Sequence, residues 1–575
     1  MRLSVLKTSA AVHFYIIKST YNNGRRSTKI VEKMGTEKEL LKRFPGRDPR
    51  DVAQERVDEL NRLEADNKHE VMAKFSNSKL LPRDKQQSFQ GGYLFLQKIY
   101  SKLGLRRLCK EISKDYKFDF DLSNILSSLL YTRILDPGSK RSSLDVAKSY
   151  LEPPSFELHD LYRALEVLAK ENDRIQAFVY KESKKLVKRN DKILFYDLTN
   201  YFFEIEQERG MCRYGYSKDH KPNPIVQMGL FLDGSGMPLA FSLNPGNTSE
   251  QVTLKPLEKK ILQDFELSEF VTCTDAGLSS TENRIFNNRS GRAFVTTQSL
   301  KKMKAHLRDW ALDPGGWELP GVRQKFSLLE LKEEDPRELE RTYYKTRWIK
   351  EDGLEQKLVV SFSLKYKNYK RSLREAQLVR AEKKLENPSS LKRKRANDPA
   401  RFIKDYPVTE EGELASDTLY ALDLQGIEEE ARYDGFYAVC TNLEAKPSEI
   451  LFVNKQRWQI EAAFRTLKSE FKARPVYLQR DDRILAHFMT CFLALLMFNI
   501  LEKKLHKIDK ETATEREILD GLRKFNFYLL DGEGYIPTYT RTALTDALHE
   551  SFGFRTDYQI LTLKDMKKII ACTKR

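Results

Sequence analysis

Cysteine is scarce in this chain. Six occur in 575 residues (Cys109, Cys212, Cys273, Cys440, Cys491 and Cys572), none forms a CxxC pair, and the eight histidines do not cluster beside them. Neither a disulfide framework nor a zinc site is indicated, and a reducing, cytoplasmic setting is expected. Long apolar runs are equally rare. Ile484 to Leu501 is long enough to question as a membrane span, but His487, Thr490 and Asn499 interrupt it, so a buried core helix is expected and no membrane partner. Met1 to Ala11 has no sustained apolar run followed by a cleavage site, so no signal peptide is expected. Negative charge is also in short supply. With 100 Lys+Arg against 83 Asp+Glu the formal net charge is +17, which favours a polyanionic partner. Ribosomal and membrane-surface proteins share that balance, but seldom with 32 Phe and 26 Tyr in buried-looking strands, so nucleic acid leads.

What is present fills several cores: at this length roughly three or four units are the prior. Residues 1–75 read as a β-hairpin (VHFYIIKSTY, the basic turn NNGRR, STKIVEKMG) followed by a charged helical stretch broken at Phe44-Pro45-Gly46. The unit either lies on DNA or is simply solvated. Residues 76–92 are a polar linker. Residues 93–190 carry apolar positions at three- and four-residue spacing, punctuated by Pro137-Gly138 and Pro153-Pro154: an all-α module. Its Lys140, Arg141 and Lys148 suit phosphate contact, but no helix-turn-helix signature is visible, and a plain packing role is as good a reading.

The character changes at Asp191. KILFYDLTNYFFEIE is a near-continuous apolar run, the pattern of a strand buried on both faces, with Asp197 in its middle. Burying an unpaired carboxylate costs several kcal/mol, so Asp197 must be paired, protonated or bound to a cation. Two strands follow, Pro224 to Leu232 and Met237 to Leu243, joined by the turn Asp233-Gly234-Ser235-Gly236. A helix is expected from Ser249 to Phe265, with Asn247 and Glu250 as its caps. EFVTCTDAGLSS then gives a fourth strand ending in Asp275, Asn283 to Arg289 a helix, and Ala293 to Gln298 a fifth strand. In an open sheet, sites assemble at strand ends, where a second acid is placed to meet the first.

A third acid stands in NKQRWQIEAAFRTLKSEF, Asn454 to Phe471, expected as one amphipathic helix with Ile460, Phe464, Leu467 and Phe471 on its apolar stripe. Arg457, Glu461 and Lys468 fall within roughly a 40° arc along the stripe's edge. Alone they read as salt bridges on a solvated face, worth about 0.2–0.5 kcal/mol per pair.

The strand order and the strings YDLTN, TDAGL and RWQIEAAFRTLKSEF together resemble the DDE transposases of bacterial insertion sequences, specifically the insertion-sequence-four group. That group's signature is Tyr, two residues, Arg, three residues, Glu, six residues, Lys; Arg457, Glu461 and Lys468 keep the spacing, and Asn454 stands in the tyrosine's place. The resemblance runs from about Lys192 to Leu501. It implies an α/β fold: a ribonuclease H-like mixed sheet with helices, split into residues 191–299 and 432–501 by an insertion domain at 300–431, and flanked by the N-terminal hairpin and helical region and by a helical C-terminal tail, 502–575. In the group the insertion is often β-rich; here Arg371 to Arg401 reads as a long charged helix containing LKRKR.

The resemblance also implies Asp197, Asp275 and Glu461 as catalytic metal ligands. They would hold two Mg²⁺ ions, with Mn²⁺ as the alternative, since in-line phosphodiester displacement needs hard cations on carboxylate oxygens. Arg457 and Lys468 would bind phosphate beside the cut, and Lys218 and His220, in GYSKDHKPN, would touch DNA. The implied partner is double-stranded DNA, transposon ends and target, bound by a homodimer in the bacterial cytoplasm and nucleoid. The implied reaction is cleavage at element ends and 3′-OH strand transfer, cut-and-paste transposition. A ribonuclease H-like nuclease that joins nothing, or a catalytically silent DNA-binding protein, remains the alternative.

Overall fold

The computed structural model describes residues 1–9, 11–22, 25–66, 71, 75–78, 80–289, 291–386, 398–408, 417–506, 508 and 513–575. The chain forms two compact units. The first comprises residues 1–87, 530–536 and 559–563, and the second everything between and after them.

In the first unit, strands Arg2–Lys7, Val12–Asn22 and Arg25–Thr36 form an antiparallel sheet. The sequence signalled the second and third, while the first joins them as an edge. Helices Glu37–Arg43 and Pro49–Asp66 follow, separated at Phe44-Pro45-Gly46. Thr36 and Glu39 form a capping box that starts the first helix. Phe14, Leu40 and Ala53 make a small core.

The second unit opens on a short strand, Ser88–Gln90, within the stretch expected as a linker, and continues with six helices: α1 (Tyr93–Lys102), α2 (Leu105–Asp115), α3 (Leu122–Leu135), α4 (Lys140–Ala147), α5 (Leu158–Lys170) and α6 (Asn172–Leu186). Ten strands then build one sheet: β1 (Ile193–Phe202), β2 (Ile225–Asp233), β3 (Pro238–Pro245), β4 (Phe270–Thr274), β5 (Arg292–Thr297), β6 (Trp317–Glu318), β7 (Lys325–Phe326), β8 (Tyr343–Glu351), β9 (Leu354–Phe362) and β10 (Phe436–Thr441). Their spatial order is β7-β6-β8-β9-β10-β5-β4-β1-β2-β3. β1, β2 and β3 are antiparallel, whereas β4 pairs parallel to both β1 and β5. Helix α7 (Glu250–Asp264) makes the crossover from β3 to β4.

The segment expected as a separate insertion domain instead lengthens this sheet. β8 and β9 form a hairpin, and β9 lies antiparallel along β10 with Leu358 opposite Cys440. Both faces of β9 near Val359 are apolar and buried, so the strand gains most by continuing the central sheet. Only the material after it stands apart. Helix α8 (Leu364–Leu385), shorter than the charged helix expected from Arg371 to Arg401, packs on Ala400, Phe402 and Ile403 as a small second core. The LKRKR run lies outside the described residues.

Helices α9 (Pro447–Lys455), α10 (Trp458–Ser469) and α11 (Asp481–Leu505) complete the unit. The single helix expected over Asn454 to Phe471 is two, with the break at Gln456-Arg457 and Arg457 at the N-cap position of α10. Ile460, Phe464, Leu467 and Phe471 are nonetheless all buried. α11 is long and apolar enough to cross a membrane, yet it is enclosed by protein. Its polar interruptions are satisfied: His487 Nε2 meets Ala473 O at 3.0 Å, Thr490 Oγ1 donates to Ala486 O and Asn499 Nδ2 to Gly236 O. The core around α11 runs unbroken from the six N-terminal helices to one face of the sheet. Beyond α11 the tail is not purely helical: strands Asn526–Leu530 and Gly534–Pro537 flank its Asp-Gly-Glu-Gly turn.

Candidate active site

Asp197 sits mid-strand on β1. From Leu194 to Tyr201 it alone is partly exposed, every neighbour being buried. Its Oδ1 accepts from the Leu198 amide at 2.7 Å. Burial pushes its pKa up to about 6; the Asp275 charge adds to the rise, while Lys218, the Leu198 amide and Arg457 oppose it. Asp275 follows the last residue of β4, adjacent to and parallel with β1, so the topology carries the two acids to the same edge. There Asp275 caps a short turn, Oδ1 accepting from Leu278 N at 3.0 Å.

Glu461 lies in the first turn of α10, which packs against β1, one turn after Arg457. It is exposed and, among the described residues, pairs with no cation. The alternating row of charges expected along this helix is therefore not a ladder of salt bridges. Arg457 donates to Thr297 Oγ1 at 3.4 Å, and its Nε is buried without a partner. Lys468 turns instead to Asp219, 3.6 Å away, and lies over the Tyr201 ring; burial lowers its ammonium pKa.

Lys218 reaches the same place from the loop after β1. Its Nζ donates to Leu198 O at 2.6 Å and pairs with Glu250 at 3.5 Å. His220, in that loop, is exposed at φ +56 with its ring against Tyr216, and bonds none of the three acids. Glu250 is not the expected cap, since Ser249 holds the N-cap position of α7. Its carboxylate faces Gly277: a Cβ there would lie 3.5 Å from Glu250 Oε2 and 3.4 Å from Asp275 Oδ1. Glu250 is thus a fourth acid at this edge.

Other residues at the site were not singled out from the sequence. Asn200, three positions after Asp197, is buried; it donates to Tyr216 O at 2.9 Å and accepts from Lys218 N at 3.1 Å, fixing the Lys218 loop. Tyr437, on β10, meets Asn454 Nδ2 at 2.6 Å and Thr297 Oγ1 at 2.9 Å. A hydrogen-bonded chain therefore runs from Asn454 through Tyr437 and Thr297 to Arg457. A tyrosine ring does stand beside Asn454, supplied by a neighbouring strand. YDLTN held the Asn200 signal in plain view, but its partner is an unpredictable loop carbonyl.

A family model described as a transposase DDE domain matches residues 201–497, just over half of the chain. The chain belongs to this family. In this DDE transposase the matched span contains Asp275 and Glu461, and Asp197 lies immediately upstream of it on the same strand. Among solved structures, the piggyBac transposase synaptic complex with hairpin DNA, seen by cryo-EM, is similar over 84% of each chain, at 10% identity and a TM-score of 0.36. That likeness is too low to carry residue correspondences. Among curated proteins no relative matches.

Proposed function

We propose that this transposase cuts DNA at the ends of a mobile element and joins the freed 3′-OH to target DNA, with Asp197, Asp275 and Glu461 as its catalytic carboxylates. The observation that carries the reading is the parallel register of β4 with β1, which ends β4 so that Asp275 stands beside Asp197 in the middle of β1. Two like charges placed together in a half-buried edge are costly unless a cation joins them. Asp197, Asp275 and Glu461 would offer carboxylate oxygen throughout, the hard donor set that suits Mg²⁺ or Mn²⁺. When bound, such ions would lower the pKa of an attacking water or hydroxyl and offset charge on the leaving oxygen.

The chain's own residues account for the rest. Asp197 and Asp275 are held by backbone amides, so their orientation is set before substrate arrives. Arg457, with a buried unpaired Nε, is ready to donate to a phosphate oxygen. Lys218, anchored by Asn200, offsets part of the acids' repulsion. Three antiparallel strands followed by two parallel ones, with acids on the first and after the fourth, support a ribonuclease H-like core of the insertion-sequence-four kind. Pairing of two ends would require a dimer, in a bacterial cytoplasm.

The test is incubation of labelled DNA carrying the element's ends with Mg²⁺ or EDTA, comparing wild type with Glu461→Gln. Joined products that need both metal and Glu461 are expected. Cutting without joining would make the protein a nuclease, and binding without cutting a silent DNA-binding protein.

A further inference from the structure

A second site lies beside the first, in the angle between α4, the segment after α10, and α11. It is a cavity of about 610 Å³ whose wall includes Arg133, Lys140, Arg141, Lys472, Arg474 and His487, and no carboxylate among the described residues. Lys140 is 4% exposed, and its Nζ is buried without a hydrogen-bond partner. Burial, with Arg133 nearby, pushes its pKa down to about 7. Arg133 offers no relief, because its guanidinium donates to the carbonyls of Phe471, Lys472 and Gly138 rather than to an acid. His487 already holds Ala473 O. The N-terminus of α4, capped by Ser139, opens on the same space and adds its partial positive charge. A buried amine with no counter-ion is costly to charge, and the described residues that line this cavity include no carboxylate to offset it.

The cavity is connected to the acids. Arg474 on its wall pairs with Asp219, which also pairs with Lys468. Asp219 is the next residue after Lys218, whose amine bonds the backbone beside Asp197. The cations thus form one track from the cavity to the carboxylates.

Resting on the DNA reading above, we propose that this cavity is a phosphate site that takes a backbone phosphodiester of the bound DNA strand, a short distance along from the scissile one, with Lys140 as its buried counter-charge. An arriving phosphate would supply the anion that the buried Lys140 amine lacks.

The test is equilibrium binding of the full chain to element-end DNA in EDTA, at a series of salt concentrations, for wild type, Lys140→Met and the rim variant Arg141→Gln. Removing one phosphate contact lowers the slope of log K against log [salt] by about 0.9. A scan of DNA with single neutral methylphosphonate linkages should show one position that weakens wild type severalfold and leaves Lys140→Met unaffected. Unchanged slopes and scans in both variants would overturn the proposal, even with DNA binding and metal-dependent cleavage intact. If inorganic phosphate stabilises wild type but not Lys140→Met while the slopes stay equal, the cavity takes free phosphate and the strand assignment is wrong. Absence of all DNA binding would instead remove the functional reading beneath it.

Discussion

Asp197 and Glu461 are both acids of one proposed site, yet their surroundings predict different effects of neutralisation on stability. The pKa of Asp197 is raised from an ordinary 3.8 to about 6. Between those values the folded chain holds a proton that the unfolded chain has released, so stability falls as pH rises through the window, and the penalty is complete above it. Asp197→Asn should therefore abolish cleavage and, in EDTA at pH 7.5, raise stability by about 1–3 kcal/mol, with the gain shrinking towards pH 4. Thermal melts at the two pH values, beside a cleavage assay, check this. Glu461 is exposed and unpaired, so Glu461→Gln should leave the melting temperature within about 1–2 °C of wild type while cleavage is lost and end binding persists. A full cleavage rate in either variant would remove that carboxylate from the mechanism. Asp197 stood out in the sequence because a charge in an apolar run must be explained, whereas Asp275 and Glu461 were singled out through the family resemblance. Their helpers Glu250 and Tyr437 were not, because each acts through a partner brought near only by the fold.

Elements differ in how openly they announce themselves. The strands β1 to β5 and α7 could be read from period and punctuation, since each is buried and bounded by turn residues. The break between α9 and α10 could not: the apolar stripe continues across it, and periodicity cannot register two residues that leave the helix and return. Nor could the merging of β8 and β9 into the central sheet, because an edge pairing leaves no trace in either strand's pattern. The loop after β1 shows how an element without regular structure is still positioned. Asn200 holds it by two hydrogen bonds, and Gly215 approaches so closely that an added Cβ would stand 2.0 Å from Gly246 O. Asn200→Ala should leave the Tyr216 carbonyl and Lys218 amide unpartnered, costing about 1–3 kcal/mol and lowering the cleavage rate at saturating DNA. Gly215→Ala should displace the same loop by a clash with backbone that cannot yield. If Asn200→Ala lowered the melting temperature yet cleaved at the wild-type rate, the loop would have no part in placing Lys218.

At the scale of the whole molecule, the edge proposed as catalytic rests on a core built around α11. α11 is sheathed by the N-terminal helices on one side and the sheet on the other, and Leu495, near its centre, is 1% exposed. The apolar run that once suggested a membrane span is explained by this position, in which the helix meets protein all round. Helices α1 to α6 are therefore a wall of the second unit's core. Leu495→Ala should cost about 2–5 kcal/mol, and the loss should be felt by α1 to α6, the sheet and α10 together. Hydrogen exchange measured on peptides from all three regions should show a common drop in protection, whereas α8 and the small core around Phe402, which share no apolar residues with α11, should be unaffected. Loss of protection confined to α11 and the helices would mean that the sheet folds independently of them. Asp197 and Asp275 would then owe their placement to β1 and β4 alone.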